Sequence, residues 1–135
     1  MKIDILTLFP EMFVPVTTSS ILGRAAEKNL IDIRLTDIRE YTKNKHRKVD
    51  DYPFGGGQGM VMMPQPIFDA LRGIKAEGKK ILYMSPRGRV LDKAKIQELS
   101  QLSELVILCG HYEGVDQRVI DYWDMEEVSI GDYIL

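Results

Sequence analysis

Short apolar runs alternate with amphipathic stretches from the first residues onward. Ile3, Ile5, Leu6 and Leu8 predict a strand that ends at Phe9-Pro10. Ser20 to Asn29 has helical spacing at Ile21, Leu22, Ala25 and Ala26, with several N-cap candidates between Thr17 and Ser20. Ile31 to Thr36 alternates apolar and polar and predicts a strand with one wetter face. Residues 40–60 are polar and then glycine-rich and predict a long loop, a feature that in compact domains usually has a function or lacks order. Pro64 to Ala76 reads as a helix with proline near its start, and Gly78 follows its end. Lys80 to Met84 predicts a buried strand ending in Ser85-Pro86-Arg87-Gly88. A helix over Leu91 to Leu102, with Asp92 as cap, precedes the most strand-like run, Leu105 to Cys109. Val115 to Tyr122 then reads as a helix and Glu127 to Ile130 as a short strand. Strands alternating with helices predict an α/β fold, a parallel sheet with helices on both faces.

Composition narrows this only a little. With 135 residues the chain suffices for one compact domain, and 44% hydrophobic with 28% charged content is that of a globular protein. No apolar stretch approaches the roughly 20 residues that a membrane-spanning helix needs, and the first residues read as a strand rather than a signal peptide. The one cysteine, Cys109, has no partner for an internal disulfide and reads as a small buried residue, which fits a cytoplasmic protein. The net charge of -2 gives no global basic field. Arg39, Lys43, Lys45, Arg47 and Lys48, with His46 among them, nevertheless form a local basic run suited to an anionic partner.

Chemistry gathers at the predicted strand ends. Ligands of open α/β sheets bind beyond the carboxyl ends of the strands. Three glycine-bearing segments fall there: Ser85-Pro86-Arg87-Gly88, Gly110-His111-Tyr112-Glu113-Gly114 and Ser129-Ile130-Gly131-Asp132-Tyr133. One such segment would simply be a turn, but three at equivalent positions predict a pocket with close backbone approach and one carboxylate, Glu113. Gly55-Gly56-Gly57-Gln58-Gly59 is no P-loop, because Met60-Val61 stands where lysine and a hydroxyl residue are needed. Its spacing also fails the dinucleotide pattern, which leaves a structural turn or a loop over a substrate. Asp50-Asp51 can hold a metal or serve as a base but reads first as a solvated pair, and His46 and His111 lack metal-ligand spacing, so no metal site is expected from the residues.

Together these segments resemble TrmD-type tRNA (guanine-N1)-methyltransferases. The resemblance rests on Leu8-Phe9-Pro10-Glu11-Met12-Phe13, the run from His46 to Met62, Ser85-Pro86-Arg87-Gly88, Cys109 to Asp116, and Ser129 to Tyr133, in order and spacing. It implies a SPOUT-type domain with a trefoil knot, a homodimer, and transfer of a methyl group from S-adenosyl-L-methionine to N1 of guanine at tRNA position 37. It places Tyr83, Met84, Ser85, Pro86, Gly110, Tyr112, Glu113, Gly114, Ile130, Gly131, Tyr133 and Leu135 at the donor. Lys45, His46, Arg47, Lys48, Gly56, Gly57 and Gly59 are expected at the tRNA, and Glu113 and Asp50 in supporting catalytic roles. Magnesium is associated with the family's reaction, and tRNA rather than DNA is the implied partner. The family continues past Tyr133 into a helix that completes the knot, its general-base aspartate and partner arginine, and a helical tRNA-binding domain. Residues 1–135 are therefore expected to be the donor-binding part of a longer protein, with an incomplete knot and no activity alone. A non-catalytic RNA-binding or dimerisation module on the same fold is the alternative.

Overall fold

A computed structural model describes residues 1–42, 48–51, 61–111 and 114–131. Five strands form one parallel sheet: β1 (Lys2–Thr7), β2 (Asp32–Asp37), β5 (Lys80–Val90), β6 (Glu104–Cys109) and β7 (Glu126–Ser129). They lie in the order β2-β1-β6-β5-β7, so all five carboxyl ends share one rim. Two short strands, β3 (Asp50–Asp51) and β4 (Val61–Met62), pair antiparallel beside the sheet. The helices are α1 (Val14–Thr17), α2 (Ser20–Glu27), α3 (Pro64–Gly73), α4 (Lys93–Ser100) and α5 (Gln117–Tyr122), with 3-10 turns at Pro10–Met12 and Ile38–Tyr41. The expected α/β class holds.

Alternation along the central strands builds a core on each face. Leu6 and Leu8 of the β1 region, Val106 and Leu108 of β6, and Ile81 and Tyr83 of β5 pack with Ile67, Ala70 and Leu71 of α3 and Val119 and Ile120 of α5. Their alternates Leu82, Leu105 and Val128 pack with Leu99 of α4 on the other face. Each fully buried branched side chain contributes roughly 1.5–3 kcal/mol. Asp92 caps α4 by accepting the Lys95 amide at 2.8 Å, as the sequence predicts. Buried Lys95 ties that helix to the sheet through Glu126 at 2.8 Å, and Glu126 also meets Lys80 of β5.

Three differences from the sequence pattern bear on function. First, β5 runs to Val90 rather than ending at Met84. Met84 and Arg89 both pair with Val128, so residues 85–88 bulge out of a continuous strand. Second, Asp50–Asp51 and Val61–Met62 are strands inside what reads as loop and its margin. Met62 donates to the Gly114 carbonyl at 2.9 Å and Met63 to that of Val49 at 2.7 Å, which fastens the pair to the β6–α5 connection. Third, Cys109 is half-buried at the end of β6 rather than fully buried. The α2 helix buries no residue, and Met12, Val16 and Ile21 are 71%, 62% and 71% exposed. Among the described residues no helix is long and apolar enough to cross a membrane.

Candidate functional site

The bulge of β5 and the carboxyl end of β6 bound a cleft of about 620 Å³. Its lining comprises Tyr83, Met84, Ser85, Pro86 and Arg87 from β5, and Gly110, His111, Gly114, Val115 and Gln117 from the connection into α5. The bulge makes one wall. The Ser85 hydroxyl accepts the Arg87 amide at 3.2 Å, turning the chain outward, and Arg87 lies 3.9 Å from the Glu127 carboxylate. Gly88 closes the bulge against β7: a Cβ there would sit 2.4 Å from the Glu127 carbonyl carbon and the Val128 amide nitrogen.

The other wall rests on Tyr83. Its ring is buried beneath Gly110, where an added Cβ would lie 3.0 Å from the ring. Its hydroxyl accepts the Val115 amide and lies 3.2 Å from where a Cβ of Gly114 would be. Gly114 has φ +125, a conformation that side chains rarely tolerate. Burial pushes the Tyr83 phenol above its ordinary range despite the opposing Val115 hydrogen bond, so it is neutral at physiological pH. Burial likewise raises the Cys109 thiol, which makes it a poor nucleophile. Asp116 then caps α5, accepting the Arg118 amide at 2.9 Å and the guanidinium at 3.0 and 2.6 Å. That guanidinium, ahead of its amide, holds the carboxyl below the usual range.

The cleft presents backbone at Gly110 and Gly114, the Ser85 hydroxyl, the Gln117 amide, the His111 imidazole and the Arg87 guanidinium. Such a set suits binding and orientation of a polar small ligand. A second cleft of about 630 Å³ opens at the other end of the sheet, lined by residues such as Thr17, Thr18, Asn29 and Asp32. Its position at the amino ends of β1 and β2 argues against a substrate site.

Of the residues expected at the donor, the structure brings Tyr83, Met84, Ser85, Pro86, Gly110 and Gly114 together in one cleft. Ile130 and Gly131 follow β7 on the same rim but are not in the described lining. Tyr112, Glu113, Tyr133 and Leu135 lie outside the described residues, as do Lys45, His46, Arg47, Gly56, Gly57 and Gly59. Asp50 is half-buried in β3 opposite Met62, and exposed Lys48 is joined to Thr42, whose hydroxyl donates to the Lys48 carbonyl at 3.0 Å. Val115 and Gln117 line the cleft without having been expected there, whereas Arg87 and His111 belong to the segments that predict the pocket though not to the expected donor set. Arg87 and Val115 do lie within recognised blocks, so the signal was their neighbours rather than their own chemistry.

Comparison with known proteins identifies the family. The family model described as tRNA (Guanine-1)-methyltransferase TrmD matches residues 1–135. A tRNA (guanine-N(1)-)-methyltransferase of Ruminiclostridium cellulolyticum is 54% identical over 139 residues, covering 100% of this chain and 59% of that protein. The corresponding protein of Clostridium perfringens strain 13 is 54% identical, covering 100% of this chain and 57% of its own length. That of Clostridium kluyveri is 55% identical, covering 99% and 54%. The chain thus spans a little over half the length of the curated relatives it matches. By the match along its whole length, the chain belongs to the tRNA (guanine-1)-methyltransferase family.

Proposed function

We propose that residues 1–135 are the donor-binding SPOUT domain of an S-adenosylmethionine-dependent enzyme that methylates N1 of guanine at tRNA position 37. The observation that carries this is the cleft between the ends of β5 and β6, assembled from two of the segments on which the family resemblance rests. Its volume of about 620 Å³ falls within the range of small-ligand sites. Gly110 and Gly114, where side chains would strike Tyr83, leave backbone within reach of a nucleoside edge.

S-adenosylmethionine supplies a methyl group on a sulfonium sulfur. Guanine N1 is protonated at neutral pH and is a poor nucleophile, so a base must remove that proton while charge develops on O6. The role we assign to Glu113 is to orient the cationic donor, and to Asp50 to hold the target guanine. Lys45, His46, Arg47, Lys48 and the glycines 56, 57 and 59 would meet the tRNA. Tyr112, Ile130, Gly131, Tyr133 and Leu135 complete the proposed donor set, and magnesium is an optional cofactor. A homodimer in the cytoplasm is part of the proposal, supported by the exposed apolar side chains of α1 and α2.

The test is methyl transfer from labelled S-adenosylmethionine to tRNA transcripts carrying guanine or adenine at position 37, using the full-length protein. N1-methylguanosine, found by mass spectrometry only in the guanine transcript, is the expected product. Tight tRNA binding without turnover would instead favour a non-catalytic RNA-binding module.

A further inference from the structure

The donor cleft occupies only half of the rim formed by the strand ends. The other half, beyond β6, β1 and β2, carries a layer of three side chains, two of which lie outside the site described above. Phe9 follows β1, His111 follows β6 and Arg39 follows β2. The Phe9 and His111 rings meet edge to face, with centroids 5.2 Å apart and planes at 70°. The Arg39 guanidinium lies 5.6 Å from the centroid of the same Phe9 ring. His111 also lines the donor cleft, so the layer and the cleft share a wall.

The placement of Arg39 follows from the local chain. Asp37 at the end of β2 accepts the Arg39 amide at 2.9 Å and starts the 3-10 turn over Ile38–Tyr41. Ile38 is fully buried, which fixes the turn and sends Arg39 across Phe9. A guanidinium stacked on an aromatic face has lost much of its rotamer freedom before any ligand arrives. Its fork of donors is suited to two oxygens of one phosphate. In the sequence Arg39 opens the basic run that ends at Lys48, a composition suited to an anionic polymer.

We infer that Arg39, held on the Phe9 ring, is a phosphate-binding residue for the RNA substrate, gripping the backbone beside the nucleotide that enters the donor cleft. The inference rests on the tRNA methyltransferase proposal. Phe9 acts through Arg39 as a positioning residue, and His111 buttresses Phe9 from the donor side. The structure thereby assigns donor and acceptor to adjacent halves of one rim, with His111 at the boundary.

The test uses the full-length protein and a tRNA transcript with guanine at position 37, with binding measured over a series of salt concentrations. Arg39→Gln is expected to weaken tRNA binding about tenfold near physiological salt and to make the salt slope shallower by about 0.7–0.9. Arg39→Lys keeps the charge and should keep the parent slope while losing part of the affinity. Arg34→Gln, which removes an exposed arginine paired with Asp32 on the same strand, should match the parent. S-adenosylmethionine affinity, read by calorimetry, should be the same in all four proteins. An Arg39→Gln protein with the parent's tRNA affinity and slope would overturn the assignment, as would equal losses of tRNA and donor binding, which mark a structural role. A parent that binds donor but neither binds nor methylates tRNA would overturn the proposed function itself, and the Arg39 assignment with it.

Discussion

Changing Gly88 to alanine places a Cβ 2.4 Å from the Glu127 carbonyl carbon and the Val128 amide nitrogen, and 2.6 Å from the Glu127 oxygen. Ordinary contact begins near 3.4 Å, so backbone on one side must yield by about 1 Å. No flexible side chain is available to move, because all three opposing atoms belong to the β7 main chain. Overpacking of this kind costs about 3 kcal/mol, the upper part of the usual range. Gly78→Ala is the matched control: φ is +77 there, but nothing lies within 4 Å of the added carbon. Its cost is conformational alone, about 1 kcal/mol. Gly88 also closes the bulge that carries Ser85, Pro86 and Arg87 into the proposed donor cleft. If half the strain is relieved by moving those residues, donor affinity falls about tenfold. Urea unfolding and calorimetric titration with S-adenosylmethionine separate the two effects. Gly88→Ala should lose stability and donor affinity together, and Gly78→Ala a little stability only. A Gly88→Ala protein as stable as the parent, with unaltered donor affinity, would refute the close β5–β7 approach and its link to the cleft.

Asp4 is buried in β1, and burial pushes its carboxyl above the ordinary range more than Lys79 and Arg34 pull it down, with Asp32 and Glu104 adding to the rise. The folded state therefore holds this proton to higher pH, and stability falls as pH rises from about 4 through the raised value. Asp4→Asn should raise the urea midpoint at pH 7, with the gain fading toward pH 4; a gain independent of pH would contradict the cause. Asp116 behaves in the opposite sense, because Arg118 holds its carboxyl low. Its stabilisation is present above about pH 4 and is lost as pH falls through the folded value. Asp116→Ala should cost about 1 kcal/mol through the α5 cap at neutral pH, and unchanged thermal unfolding would show that the cap is idle. Gly114→Ala combines φ +125 with a contact of 3.2 Å to the Tyr83 hydroxyl. It should weaken S-adenosylmethionine binding, and Tyr83→Phe in the same chain should relieve part of the loss; a normal donor affinity for Gly114→Ala would count against the Tyr83 support.

Much of the sheet is legible because its central strands are buried on both faces. Leu105 to Cys109 and Ile31 to Thr36 announce themselves, the first by continuous apolar character and the second by the alternation of an edge strand. The second half of β5 is not legible. Ser85, Pro86, Arg87 and Gly88 read as a strand stop, and only pairing with Val128 and Ser129, distant in sequence, restores the strand. The pair β3–β4 is hidden for a similar reason, since two-residue strands carry no periodicity and depend on the Gly114 and Val49 carbonyls. The cleft is legible in two of the glycine segments, Gly110 and Gly114 after β6 and Ser85 to Arg87 at the β5 bulge, while Ser129 to Gly131 do not enter its described lining. Arg39, Phe9 and His111 belong to three separate segments, and only the order β2-β1-β6 makes them neighbours.

The central claim, that the cleft at the ends of β5 and β6 binds S-adenosylmethionine, is tested most directly by calorimetric titration of the protein with S-adenosylmethionine, ATP and NAD. One donor should bind per chain, in preference to ATP or NAD, with affinity reduced by Gly114→Ala and by Gly88→Ala. Preference for ATP or NAD, or S-adenosylmethionine binding indifferent to both substitutions, would contradict it.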